Sequence, residues 1–160
     1  MVKKAIYPGS FDPFTLGHFD IALRALKMFD EIYIAIGENK DKATLFSVKE
    51  RISHITEIFK DNPNIAATSF DGLLVDFAKK IDVYTVIRGL RSASEFEFET
   101  QMAFANHAME PQLETIFFAA SKKHSFLSSS IVKEIASKSK KDLSKFVAPE
   151  IERALYEKFK

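Results

Sequence analysis

Apolar residues recur along this chain in two alternating periods. The run Val2-Lys3-Lys4-Ala5-Ile6 predicts a first strand. Phe19 to Leu26 carries the three-and-four spacing of a helix, expected over about Gly17 to Phe29. Glu31 to Ile36 predicts a second strand closed by Gly37, and a charged loop, Glu38 to Thr44, leads to a helix from Ser47. Ser47 and Glu50 have the spacing of a capping box, and Arg51, Ile52, Ile55, Ile58 and Phe59 continue the period. After an Asn62-Pro63-Asn64 turn, Ile65 to Phe70 predicts a third strand, and Asp71-Gly72 opens a helix with Leu73, Leu74, Phe77 and Ala78. Tyr84 to Ile87 is continuous and rich in β-branched residues, as in a buried parallel strand. Ser94 with Glu97 predicts the cap of the longest helix, which reaches Met109. Thr115 to Ala119 is a fifth strand. Ser128-Ser129-Ser130 starts a helix through Ile131, Val132, Ile135 and Ala136, and Pro149 stands at the first turn of a last one.

This alternation implies a parallel sheet with right-handed crossovers. The expected architecture is α/β: one doubly wound, Rossmann-like domain over residues 1–160, with a five-stranded parallel sheet and helices on both faces. In that class ligands bind beyond the carboxyl ends of the strands, and the polar segments fall there. Gly9 to His18 follows the first strand, Lys42 the second, Gly72 to Leu74 the third, Arg88 to Arg91 the fourth and His124 to Ser130 the fifth. On the long helix, Phe96, Ala103 and Phe104 share one face and Phe98, Met102, Ala105 and Met109 another. So wide an apolar surface implies burial on two sides, one of them against another subunit.

Bulk composition narrows the function classes. Hydrophobic content of 46% with 28% charged residues is that of a soluble globular protein. A net charge of +1 and no long basic run argue against nucleic acid as a partner. The absence of cysteine removes disulfides, thiolate metal sites and cysteine nucleophiles. No apolar run has membrane-spanning length and no leader precedes the first strand, so no membrane association and cytoplasmic residence are expected. Sixteen phenylalanines are many for 160 residues; most should be core, with some left for a subunit interface or a ligand slot.

The candidate chemistry starts at Thr15-Leu16-Gly17-His18. A glycine-bearing loop joins a strand to a helix whose first turn holds a histidine, where free N–H groups and the helix dipole favour an anion. Gly9 would let a ligand approach the backbone, and Gly17 would leave room beside His18. Arg88 and Arg91 flank Gly89 and suit phosphate oxygens; the alternative is two surface groups in salt bridges with Glu95 or Glu99. The triple serine offers hydroxyls and N–H groups to an anion, or simply caps its helix. No carboxylate pair, metal-ligand cluster, Gly-x-x-x-x-Gly-Lys-Ser/Thr loop or Gly-x-Gly-x-x-Gly fingerprint is present. Attack of an anionic phosphate on a nucleotide α-phosphorus fits these absences, since that nucleophile needs no general base.

The chain resembles the bacterial-type phosphopantetheine adenylyltransferase family, within the nucleotidyltransferases with a (His/Thr)-x-Gly-His motif. The resemblance rests on Tyr7-Pro8-Gly9-Ser10-Phe11-Asp12-Pro13 with Thr15-Leu16-Gly17-His18, on Asn39 with Lys42, and on Phe46 with Glu50-Arg51. It continues through Gly72-Leu73-Leu74-Val75, Ile87-Arg88-Gly89-Leu90-Arg91, Phe96-Glu97-Phe98-Glu99 and Phe126-Leu127-Ser128-Ser129-Ser130-Ile131-Val132-Lys133-Glu134. Many relatives that adenylylate nicotinate mononucleotide carry Arg where Lys133 stands. The resemblance implies transfer of AMP from ATP to 4′-phosphopantetheine, giving dephospho-coenzyme A and pyrophosphate. It implies that His18 stabilises the transition state, with Lys42 and Arg91 also catalytic. Ser10, Lys42, Leu74 and Arg88 would hold the acceptor. Ser10, Phe11, His18, Gly89, Leu90, Arg91 and Glu99 would contact ATP, with His124, Ser125, Phe126, Leu127, Ser128, Ser129 and Ser130 closing over it. Mg²⁺ would arrive with ATP, coenzyme A is the candidate feedback ligand, and a homohexamer is the expected assembly. Glu95, Phe98 and His124 depart from the Asp, Tyr and aromatic residue usual at those places. A sibling nucleotidyltransferase with another phosphorylated acceptor, and a non-catalytic nucleotide or coenzyme A sensor, are the alternatives.

Overall fold

The computed structural model describes residues 1–39, 43–139 and 141–160. Lys42 lies outside the described residues. Five strands, β1 (Lys4–Gly9), β2 (Glu31–Glu38), β3 (Ile65–Asp71), β4 (Thr85–Leu90) and β5 (Glu114–Ala119), form one parallel sheet in the order β3-β2-β1-β4-β5. The helices are α1 (Leu16–Ala25), α2 (Val48–Ile58), α3 (Leu74–Ile81), α4 (Ala93–Met109), α5 (Ser129–Lys138) and α6 (Pro149–Lys158). This is the doubly wound arrangement expected from the alternation. Its switch point lies between β1 and β4, where the chain leaves in opposite directions and a crevice opens.

Period-two alternation sorts the strands onto two faces. Ala5, Tyr7, Ile32, Ile34, Ile36, Ile87 and Phe118 pack in one core with Ile21 and Ala25 of α1, Ile55 of α2, Val132 of α5 and Ile151 and Leu155 of α6. Ile6, Ala35 and Val86 point the other way, onto Val75, Phe77 and Ala78 of α3. The α4 helix belongs to this thinner side, and none of its residues is buried.

The strands run further than their apolar runs. β1 continues through Tyr7-Pro8-Gly9 because those residues pair with Ile34, Ala35 and Ile36 of β2. Gly37 does not close β2 but pairs with Phe70, and Arg88-Gly89-Leu90 lies within β4, opposite Phe117, Phe118 and Ala119. Register between β1 and β4 is carried by Ile6 opposite Val86. Past it Pro8, which has no N–H to give, presents its carbonyl to the Arg88 side chain at 2.7 Å. The ladder thus yields to side chains where the crevice begins.

Helix ends show two corrections. The cap of α4 is Ser92, whose hydroxyl accepts from the Glu95 N–H, not Ser94 with Glu97; Ser94 instead bonds the Ser92 hydroxyl at 3.0 Å. α1 stops at Ala25, short of Phe29, because its last turn tightens into Lys27-to-Arg24 and Met28-to-Ala25 bonds. The Ser47–Glu50 capping box and the first-turn Pro149 are as expected.

Candidate active site

A cavity of about 330 Å³ lies over the carboxyl ends of β1 and β4. Tyr7 to Phe11, Thr15, Gly17 and His18 line it from the β1–α1 segment. Arg88, Gly89, Arg91, Glu95 and Glu99 contribute from β4 and α4, and Ala120, His124 and Leu127 to Ser130 from the β5–α5 segment. Two helix starts, those of α1 and α5, therefore face one space. Among the described residues the N–H groups of Gly17, Ser129 and Ser130 have no acceptor, as an anion site requires.

His18 is held from one side only. Thr15 caps α1: its hydroxyl accepts from the His18 N–H, and its own N–H donates to His18 Nδ1 at 3.0 Å. Nδ1 is thus an acceptor, and in the neutral ring the proton sits on Nε2. Phe11, Phe14 and Tyr7 case the imidazole, with ring centroids 5.0, 5.4 and 6.4 Å away. Burial, then the charges of Arg91 and Arg88, push its pKa down to about 3. The group is a neutral N–H donor at physiological pH.

The arginines show the carboxylate pairing that the sequence allowed, at the edge of the cavity. Arg88 and Arg91 line the cavity, and each is also paired with a carboxylate on α4. Arg88 holds Glu99 through two N–H groups, Nε at 2.6 Å and Nη2, and gives Nη1 to the Pro8 carbonyl. Arg91 pairs with Glu95 and donates to the Leu127 carbonyl, tying β4 to the β5–α5 segment. A phosphate on either guanidinium must share it with a carboxylate or displace one.

The β1–α1 loop is braced from behind. Asp12, 4% exposed, accepts from the Leu45 and Phe46 N–H groups and from Lys133 Nζ, each at 2.9 Å. Burial alone would raise its pKa, but these three donors outweigh it and hold the carboxyl below its ordinary value. Arg51, also 4% exposed, donates to the Ser10 carbonyl at 2.6 Å. The Ser129 hydroxyl donates to the Pro13 carbonyl at 2.8 Å, so this serine offers the cavity its N–H, while the Ser128 hydroxyl accepts from the Ile131 N–H and keeps its own proton to give.

The glycines play a different part from the one expected. A Cβ at Gly9 would lie 2.8 Å from the Phe11 ring, so that space is filled by the chain itself and not left to a ligand. At Gly89 a Cβ would lie 2.2 Å from Ile21 Cδ1, so this glycine lets α1 lie against β4. Gly17 borders Thr15 and His124 at ordinary distances and is not what makes room for His18.

Of the expected site residues, Ser10, Phe11, His18, Arg88, Gly89, Arg91, Glu99, His124, Leu127, Ser128, Ser129 and Ser130 line this cavity. Leu90 and Ser125 do not, and Phe126 is 55% exposed with its ring against Phe146. Leu74 lines a second cavity of about 310 Å³ with Leu73, Val86, Phe98, Met102 and Met109; it shares Pro8, Arg88 and Glu99 with the first. The residues that sequence reasoning missed are the braces. Arg51 and Lys133 stood in the quoted motifs, but nothing in their spacing announced that they grip Ser10 and Asp12.

Comparison with known proteins shows the family. The Cytidylyltransferase-like family matches residues 6–135. A phosphopantetheine adenylyltransferase of Lachnoclostridium phytofermentans is 48% identical over 99% of this chain and 96% of its own length. Another, of Dictyoglomus turgidum, is 48% identical over 98% of each. Among solved structures, a bifunctional NMN adenylyltransferase/ADP ribose pyrophosphatase from Francisella tularensis superposes with a TM-score of 0.70 at 16% identity, over 98% of this chain and 49% of that one; this likeness bears on the fold alone.

Proposed function

This chain belongs to the cytidylyltransferase-like proteins and, within them, to the phosphopantetheine adenylyltransferases, and from that membership we propose how its residues carry the reaction. It transfers AMP from ATP to 4′-phosphopantetheine, releasing pyrophosphate and dephospho-coenzyme A in coenzyme A biosynthesis. An oxygen of the 4′-phosphate bonds to the α-phosphorus as the bond to the β-phosphate oxygen breaks. The nucleophile is already anionic, so proximity and charge stabilisation do the work. His18 gives its Nε2 proton as a hydrogen bond to an α-phosphate oxygen while charge builds there. The first-turn N–H groups of α1 and α5 and the Arg91 guanidinium receive the remaining phosphate oxygens. Arg88, with Lys42, takes the acceptor phosphate.

The observation that carries this reading is Arg88, which lines both cavities at their junction. On one side lie N–H donors, His18 and Arg91, suited to a triphosphate. On the other lie Leu73, Leu74, Phe98, Met102 and Met109, suited to an arm with a phosphate at its near end. Coenzyme A, which contains the same arm, would compete there as a feedback ligand. Mg²⁺ is proposed to arrive on ATP and to offset part of its phosphate charge. The carboxylates lining the cavity, Glu95 and Glu99, are engaged by arginines, and an ion on the triphosphate keeps its own phosphate oxygens and waters. No helix among the described residues is long and apolar enough to cross a membrane. Cytoplasmic residence is proposed from the biosynthetic reaction of the family.

The test is pyrophosphate release from ATP and Mg²⁺ with and without 4′-phosphopantetheine. Release that depends on the acceptor is expected. ATP binding with no release in the presence of 4′-phosphopantetheine would overturn the assignment and favour a sensor.

A further inference from the structure

Lys133 does not line the cavity, yet its ammonium is committed to the β1–α1 loop. It lies one turn after Ser129 on α5, and the two side chains reach the same loop: Ser129 bonds the Pro13 carbonyl at 2.8 Å and Lys133 bonds Asp12 at 2.9 Å. Asp12 in turn takes the Leu45 and Phe46 N–H groups, so three segments meet on one buried carboxylate. The gripped loop carries Phe11, which packs on His18, and Thr15, which fixes the His18 tautomer. We propose that Lys133 is a positioning residue for adenylyl transfer: through Asp12 it locks the β1–α1 loop to α5 and so sets the spacing between the two helix starts that receive the phosphates.

A purely structural ion pair would affect only stability. Here its two ends sit on the two elements whose relative placement defines the site. A misplacement of about 1 Å costs on the order of a hundredfold in rate. The inference rests on the function proposed above and adds a residue that never touches substrate.

The experiment compares wild type with Lys133→Met, Lys133→Arg and the double variant Asp12→Asn/Lys133→Met. Turnover and KM for each substrate are measured well below the melting temperature, with the folded fraction checked by circular dichroism. The His18 imidazole is followed by NMR. Lys133→Met should lower kcat by about ten- to one-hundredfold, with KM for ATP changed far less, and should shift the His18 resonances. Lys133→Arg should restore most of both. The double variant removes the buried carboxylate charge with its partner; it serves if Lys133→Met fails to fold, and it should lose kcat as well. Wild-type kcat and unmoved His18 resonances in a folded variant, with only the melting temperature lowered, would overturn the inference. If wild type itself released no pyrophosphate, the function would fall, while the His18 resonances would still decide whether Lys133 governs the geometry.

Discussion

At the scale of single residues, the site turns on which nitrogen of His18 carries a proton. The Thr15 N–H claims Nδ1, and three aromatic rings together with the nearby charges of Arg91 and Arg88 disfavour an imidazolium. His18→Ala should therefore lower kcat by about a hundred- to a thousandfold, the cost of losing one aimed donor, with the fold intact by circular dichroism. Near-normal turnover would remove His18 from the mechanism. The low pKa makes a second claim. The unfolded chain takes up a proton on this histidine below about pH 6.5, whereas the folded chain resists until about pH 3. Stability from this group is therefore full above that upper value and is lost as pH falls through the window. NMR of the free protein should show a neutral Nε2–H ring from pH 8 to 5; protonation near pH 6 would contradict the geometry.

At the scale of elements, glycine placement decides how closely helix and strand approach. Gly89 and Ile21 make the point, since a Cβ at position 89 would meet Ile21 Cδ1 and force that side chain to shift. Gly89→Ala should cost about 1–3 kcal/mol by overpacking. Ile21→Val removes the clashing Cδ1, so the double variant should melt higher than Gly89→Ala alone; a lower value would mean the strain lies elsewhere. This is also where legibility from the sequence ends. Alternating strand and helix periods predicted every element, the parallel sheet and the edge where the polar segments meet. They misplaced the α4 cap because Ser92/Glu95 and Ser94/Glu97 have the same spacing, and only the course of the chain after Leu90 chooses between them. His18 and the arginines were readable because their chemistry sits in a short motif. The grip of Arg51 on Ser10 was not, because it joins residues 41 positions apart through one side chain.

At the scale of the whole molecule, α4 carries an exposed apolar surface. Phe98, Phe104, Met102 and Met109 are 62, 71, 44 and 47% exposed on a helix with no buried residue, an apolar surface open to a second copy as well as to the acceptor arm, and the resemblance implies a homohexamer. Light scattering should give about six times the 18.2 kDa chain mass. Phe104→Glu, at the most open of these positions, should yield smaller species. A monomeric wild type would refute the assembly.

The pairing of Arg88 with Glu99 and of Arg91 with Glu95 has a consequence for how substrate arrives. Each guanidinium is matched locally by a carboxylate, and the chain as a whole carries only one net positive charge. These four groups together project little field beyond the rim, so they do little to funnel passing polyanions inward. The attraction of these four groups is felt mainly at contact, once a phosphate contends with the carboxylates at hydrogen-bond range. For these four groups, discrimination is thereby moved from the approach to the embrace: they sort phosphates by fit after entry, not by pull before it.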